Sequence, residues 1–187
     1  MSELRPRILL IGMMGAGKTT VGHALTRRTG WDYLDNDELV RRAVGRGAPE
    51  VLEGAGEPEL RHVEAAALEE ALRTAPPVIA GIAAGTVLDP RNRERLRQAG
   101  FVVYLRASLD TLVGRVGSGA GRPFLQPDPR AALARLSEGR EPLYEEVASI
   151  IIDVDERSPD AVAEQIVGEL RRHEGHHDEH GDTRDLD

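Results

Sequence analysis

Apolar and polar positions follow two periods along the chain, and the switches between them mark its elements. Residues 8–11 form an unbroken apolar run of the length of a buried strand. Over 20–29 the period becomes helical, with Val21, Ala24 and Leu25 on one face and Gly30 placed to cap the end. Residues 31–34 predict a second, short strand ending in Asp35-Asn36-Asp37, and 38–44 a helix up to Gly45. The stretch 46–58, rich in Gly, Pro and Glu, has room for one short helix at 50–53. Residues 58–74 then predict a strong helix with Leu60, Val63, Ala67 and Leu68 on one face. A strand over 78–82 runs into Ala83-Ala84-Gly85. Pro90–Ala99 is expected to be helical and 101–105 a buried strand. Leu109–Val116 predicts a helix leading into the glycine and serine stretch 117–121, the hinge of a mobile lid over about 116–127. Pro129–Val147 forms a long amphipathic pattern, 150–154 a last strand, and 159–170 a last helix opening after Ser158. Strands alternating with helices predict an α/β fold, a parallel sheet covered on both faces.

Composition narrows this picture. At 187 residues, 40% apolar, the chain has the length for one sizeable core, and a single domain over 1–172 is expected. With two Phe, three Tyr and one Trp, that core must be built from Leu, Val, Ile and Ala. A net charge of −8 argues against nucleic acid as the main partner. No apolar run approaches the roughly 18 residues of a membrane span. The start of the chain imitates a signal peptide superficially, but residues 8–20 have a better use, described next. Beyond His173 the chain is polar and acidic and holds four of six histidines if His173 is included; 173–187 is expected to be a solvated, disordered tail rather than a metal site.

The stretch Gly12 to Thr20, GMMGAGKTT, fits G-x-x-x-x-G-K-[ST] between a predicted strand and a predicted helix, which is the context a P-loop requires. Gly12, Gly15 and Gly17 let the backbone curl so that its N–H groups, with those at Ala16 and Thr20, face phosphate oxygens. Lys18 is placed to reach the β- and γ-phosphates, and the Thr19 hydroxyl to ligate Mg²⁺. Lys18 is the only lysine, beside 23 arginines, at the one position that needs a compact ammonium. Asp35 and Asp37, two apart at the mouth of the second strand, share a face if the strand conformation persists; alone, the triplet reads equally as an acidic helix N-terminus.

GMMGAGKTT, YLDNDELV, ELRHVE (59–64), GRPFL (121–125) and REPLYEEVA (140–148) together occur in the order and spacing of the shikimate kinases, which the chain resembles over about residues 7–170. The resemblance implies a P-loop three-layer sandwich with a five-stranded parallel sheet in order 2-3-1-4-5. It also implies transfer of the ATP γ-phosphate to the 3-hydroxyl of shikimate with Mg²⁺, by a cytoplasmic monomer. Lys18, Asp37 and Arg122 would be catalytic, Arg122 as the lid arginine and Asp37 as acceptor of a hydrogen bond from the substrate hydroxyl. Asp35 would stand with Thr19 at the metal. Arg61 and Arg140 would grip the substrate carboxylate, a role that suits a planar fork. Arg115 and Arg157 would flank the adenine, and Tyr144 is expected to be a packing residue.

The chain departs from the family at Ala83-Ala84-Gly85, where three glycines are usual, and at Leu52 and Leu60, where phenylalanines often surround the substrate ring. Three readings therefore stay open: a shikimate kinase that tolerates these changes, a paralogue phosphorylating another hydroxy acid such as a gluconate- or quinate-like polyol, and a nucleotide-binding regulatory module without turnover.

Overall fold

The computed structural model describes residues 6–120 and 122–178. Five strands, β1 (Arg7–Ile11), β2 (Asp32–Leu34), β3 (Val78–Gly81), β4 (Phe101–Arg106) and β5 (Ile150–Asp153), form one sheet in the order β2-β3-β1-β4-β5. Every pairing is parallel, with Leu9 opposite Ala80 on one side and Val102 on the other. The three inner strands are buried along nearly their whole length, so their sequences are continuous apolar runs rather than alternating ones. Ile8, Leu9 and Leu10 are fully enclosed, and each such side chain contributes about 1.5–3 kcal/mol by leaving water.

Seven helices connect and cover the strands: α1 (Lys18–Thr29), α2 (Asn36–Val44), α3 (Ala48–Arg73), α4 (Pro90–Ala99), α5 (Leu109–Val116), α6 (Pro129–Val147) and α7 (Pro159–Asp178). Helix α1 packs on α7, α2 on α3, and α6 against both α4 and α5. Gly30 ends α1 in the left-handed conformation, φ 76°, its N–H returned to the Thr26 carbonyl. All five strands deliver their C-terminal ends to one side of the sheet, where the loops gather.

One expectation is sharpened and one corrected. The short helix and the long helix expected on either side of 54–57 are both present and meet end to end as α3, the helical backbone breaking at Gly56, which takes φ 81° and ψ 177°. Pro58 has no N–H to give the preceding turn, and glycine alone accepts the backbone conformation that absorbs the break. The polar tail does not begin at 173. Helix α7 continues to Asp178, because extending a helix already nucleated and packed costs little, and the His173 ring meets Phe101 edge to face at 5.2 Å. The rest of the expected tail, 179–187, lies outside the described residues, as does Gly121 of the predicted lid.

Candidate active site

The P-loop fills the turn from β1 to α1. Gly12 has φ 141°, and a Cβ there would lie 2.6 Å from the Leu105 carbonyl oxygen, so the neighbouring strand excludes any side chain. Lys18 opens α1 and folds back, its Nζ donating to the carbonyls of Gly12 at 2.8 Å and Met13 at 3.1 Å. Enclosure draws its pKa down from 10.5 to about 8, only partly opposed by Asp37 and Asp35. Arg115 of α5 clasps the same loop from outside, donating to the carbonyls of Gly15 and Ala16, both at 3.2 Å.

The Thr19 hydroxyl donates to Asp35 Oδ2 at 2.9 Å, bringing together the two oxygen donors expected at a metal. Asp35 is the N-cap of α2, its Oδ1 accepting the Asp37 N–H at 2.9 Å. The strand conformation therefore does not persist through the triplet. Asp37 lies in the first turn of a helix, where the helix dipole favours a carboxylate, and not beside Asp35 on a strand face. Both aspartates nevertheless line the same cleft as Thr20, Lys18 and Gly17.

That cleft, about 690 Å³, continues to the predicted acceptor residues. Arg61 projects from the long arm of α3 and is held by Glu64 at 2.5 Å and Glu57 at 2.8 Å, with the Phe124 ring 5.4 Å from its guanidinium carbon. Burial works against the Arg61 charge, but Glu64 and Glu57 together hold its pKa above the ordinary value. Burial pushes the Glu64 carboxyl up despite that partner. Arg140, from the middle of α6, is 4% exposed, a burial that arginine rarely accepts. Ala83, Ala84 and Gly85 form the wall between them, with Leu52 and Leu60 nearby. A Cβ on Gly85 would strike the Arg61 guanidinium, so this glycine is required by the arginine's approach and not by its own backbone, which has φ −86°. Arg122 lines the mouth, donating to the Val116 carbonyl at 3.4 Å.

Arg157 stands apart. It bonds Gln165 at 2.6 Å in the turn before α7 and does not line the cleft. Tyr33 and Glu64 are additions to the predicted site, and Tyr144, expected only to pack, stands beside them. Tyr33 sits in a slot made by Gly22 and Gly81, where a Cβ on the first would collide with its ring and one on the second with its hydroxyl, which donates to Asp35 at 3.4 Å. Glu64 and Tyr144 lie one helical turn beyond Arg61 and Arg140 respectively, so the spacing alone could have flagged them. Among the described residues, no cluster of three or more His, Cys, Asp or Glu could hold a metal by itself, and no helix is long and apolar enough to cross a membrane.

A family model for shikimate kinase matches residues 14–171. The shikimate kinase of Psychrobacter sp. (strain PRwf-1) is 36% identical over 178 residues, covering 95% of this chain and 98% of that protein. That of Chromobacterium violaceum is 38% identical over 171 residues, covering 91% and 92%. Among solved structures, shikimate kinase from Acinetobacter baumannii in complex with shikimate superposes with a TM-score of 0.87 at 34% identity, over 91% of this chain and 96% of that one. A gluconokinase from Sinorhizobium meliloti 1021, 21% identical with a TM-score of 0.63 over 90% and 93% of the two chains, shares the fold alone.

Proposed function

Because the chain belongs to the shikimate kinase family of small-molecule kinases, we propose that its cleft transfers the γ-phosphoryl group of ATP to the 3-hydroxyl of shikimate. The observation that carries this reading is that Lys18 and Thr19, fit for a polyphosphate, share one cleft with Arg61 and Arg140, fit for a carboxylate. Phosphoryl transfer through a loose transition state asks a protein mainly for positioning and charge neutralisation.

Arg61 and Arg140 orient the acid through its carboxylate, which a planar fork binds in two-pronged fashion. Asp37 accepts the hydrogen bond of the attacking hydroxyl and is the group in reach to take its proton. Lys18 and Arg122 hold the γ-phosphate oxygens as their charge redistributes, and Arg115 borders the nucleotide. Thr19 and Asp35 offer the oxygen donors that would hold Mg²⁺, a hard cation that would supply charge neutralisation to the phosphates. One copy of the chain supplies every residue named, so the working unit is taken as the monomer, acting in the cytoplasm where ATP and Mg²⁺ are at hand.

The methyl groups of Ala83 and Ala84 narrow the acceptor wall without removing either arginine. ADP release measured across shikimate, quinate and gluconate tests the reading. Shikimate is expected to be turned over with the highest kcat/KM. Robust turnover of another acid with none of shikimate would replace it with a paralogue's specificity.

A further inference from the structure

The segment Ala83-Ala84-Gly85 leaves β3 with its backbone divided. Its carbonyls are all engaged within the chain: Ala83 accepts the Thr86 N–H at 3.1 Å, Gly85 accepts the Leu88 N–H at 3.1 Å, and Ala84 accepts the Tyr144 hydroxyl at 2.8 Å. The first two bonds are local and close a short turn over Thr86–Leu88. The third joins residues 60 apart in sequence and ties the segment to α6, as Asn92 and Arg93 tie the turn to α4 through the Thr86 and Val87 carbonyls.

Tyr144 is fully buried, its ring tilted 33° against that of Tyr104 with centroids 5.0 Å apart. It lies one turn beyond Arg140 on α6, so its position along the helix is tied to that of the arginine. Its hydroxyl also lies 3.7 Å from the sulfur of Met13, the residue whose carbonyl receives Lys18. One phenol thus touches the nucleotide loop and the acceptor wall from the helix that carries Arg140. A buried phenol needs a partner, as does a buried carbonyl. No packing requirement would select a hydroxyl here over the plain ring of phenylalanine.

We propose that Tyr144 is a positioning residue for phosphoryl transfer. Through the Ala84 carbonyl it sets the acceptor wall at a fixed place relative to Arg140 and the P-loop, and so sets the affinity for the hydroxy acid and not that for ATP. This rests on the reading of Arg61, Arg140 and the 83–85 segment as the acid's binding site. The two alanines matter to it: with side chains on both, the wall can accommodate a displaced turn less freely than three glycines would.

The test is Tyr144→Phe in the full-length chain, with Tyr104→Phe as the matched loss of the facing hydroxyl. Melting temperature, KM for shikimate and for ATP, and calorimetric shikimate binding are measured for each. Tyr144→Phe is expected to raise the shikimate KM and Kd about tenfold, with KM for ATP changed less than twofold, while Tyr104→Phe leaves all three near wild type. Tenfold corresponds to about 1.4 kcal/mol, the range of one buried hydrogen bond. Equal losses for ATP and acid, unchanged acid binding, or a change in melting temperature alone would overturn the proposal. So would an equal effect of Tyr104→Phe. If the wild-type chain itself neither binds nor phosphorylates shikimate, the functional reading fails instead, and the two failures are distinct.

Discussion

The departures at Ala83 and Ala84 and the glycine kept at 85 respond to different neighbours. Gly85 is fixed by Arg61, whose guanidinium occupies the place a Cβ would take. Gly85→Ala is therefore expected to displace Arg61 from Glu64 and raise the KM for shikimate about tenfold or more, in line with the 1–3 kcal/mol that one methyl-sized misfit in a pocket is worth. The KM for ATP should stay within twofold. Ala83→Gly with Ala84→Gly should act in the opposite sense, lowering the shikimate KM modestly, with glycine's added freedom offsetting part of the gain. Steady-state kinetics with each substrate varied in turn checks both. A rise in shikimate KM in the double mutant would mean that the two methyl groups support the wall instead of crowding it.

Among the elements, the start of α2 serves two purposes through one side chain. Asp35 caps the helix with Oδ1 and meets Thr19 with Oδ2. Asparagine caps as well as aspartate does, whereas alanine cannot cap and costs about 0.5–2 kcal/mol. Asp35→Asn should therefore melt near wild type yet need more Mg²⁺ for half-maximal activity, while Asp35→Ala loses stability as well. Thermal melts and Mg²⁺ titrations of the two variants separate the roles, and equal melting losses in both would refute the cap. This double use explains what the chain's pattern left hidden. The apolar periods of β1, α1, α4, α5 and α6 are local properties and could be read to within a residue or two. The P-loop was legible for the same reason, since its glycines and Lys18 are consecutive. The turn at Asp35 depends on which of two backbone states the triplet takes, extended strand or capped helix start, and the same three residues admit both. The contact of Tyr144 with Ala84 was hidden for another reason, since it joins residues 60 apart in sequence. Arg157 illustrates the converse: its motif position suggested the adenine, but its guanidinium is engaged with Gln165 of the following helix, α7.

At the scale of the whole molecule, a chain with net charge −8 gathers Lys18, Arg61, Arg115, Arg122 and Arg140 around one cleft. An acidic exterior with a cationic cleft repels anions generally while drawing them toward one opening, and the low-dielectric walls concentrate that field. The cations are not interchangeable, because four are guanidiniums and the fifth is the lone lysine, its pKa drawn down to about 8. That combination gives the chain a single side-chain amine, and one that is substantially unprotonated in mildly alkaline buffer. The free base is the nucleophile, so the reactive fraction grows as pH rises through about 8, well below the range where an ordinary lysine becomes reactive. An amine-acylating reagent at pH 8 should thus modify one ε-amine per chain and abolish turnover in step with its incorporation. Bound ATP, whose phosphates favour the protonated ammonium and cover it, should protect. Mass spectrometry of proteolytic peptides, which separates the Lys18 ε-amine from the chain's α-amine, would count the modification with and without nucleotide, and ε-amine acylation indifferent to ATP would mean that Lys18 does not meet the phosphates. The whole protein would then report occupancy of its nucleotide site through the reactivity of one nitrogen atom, with no engineered label.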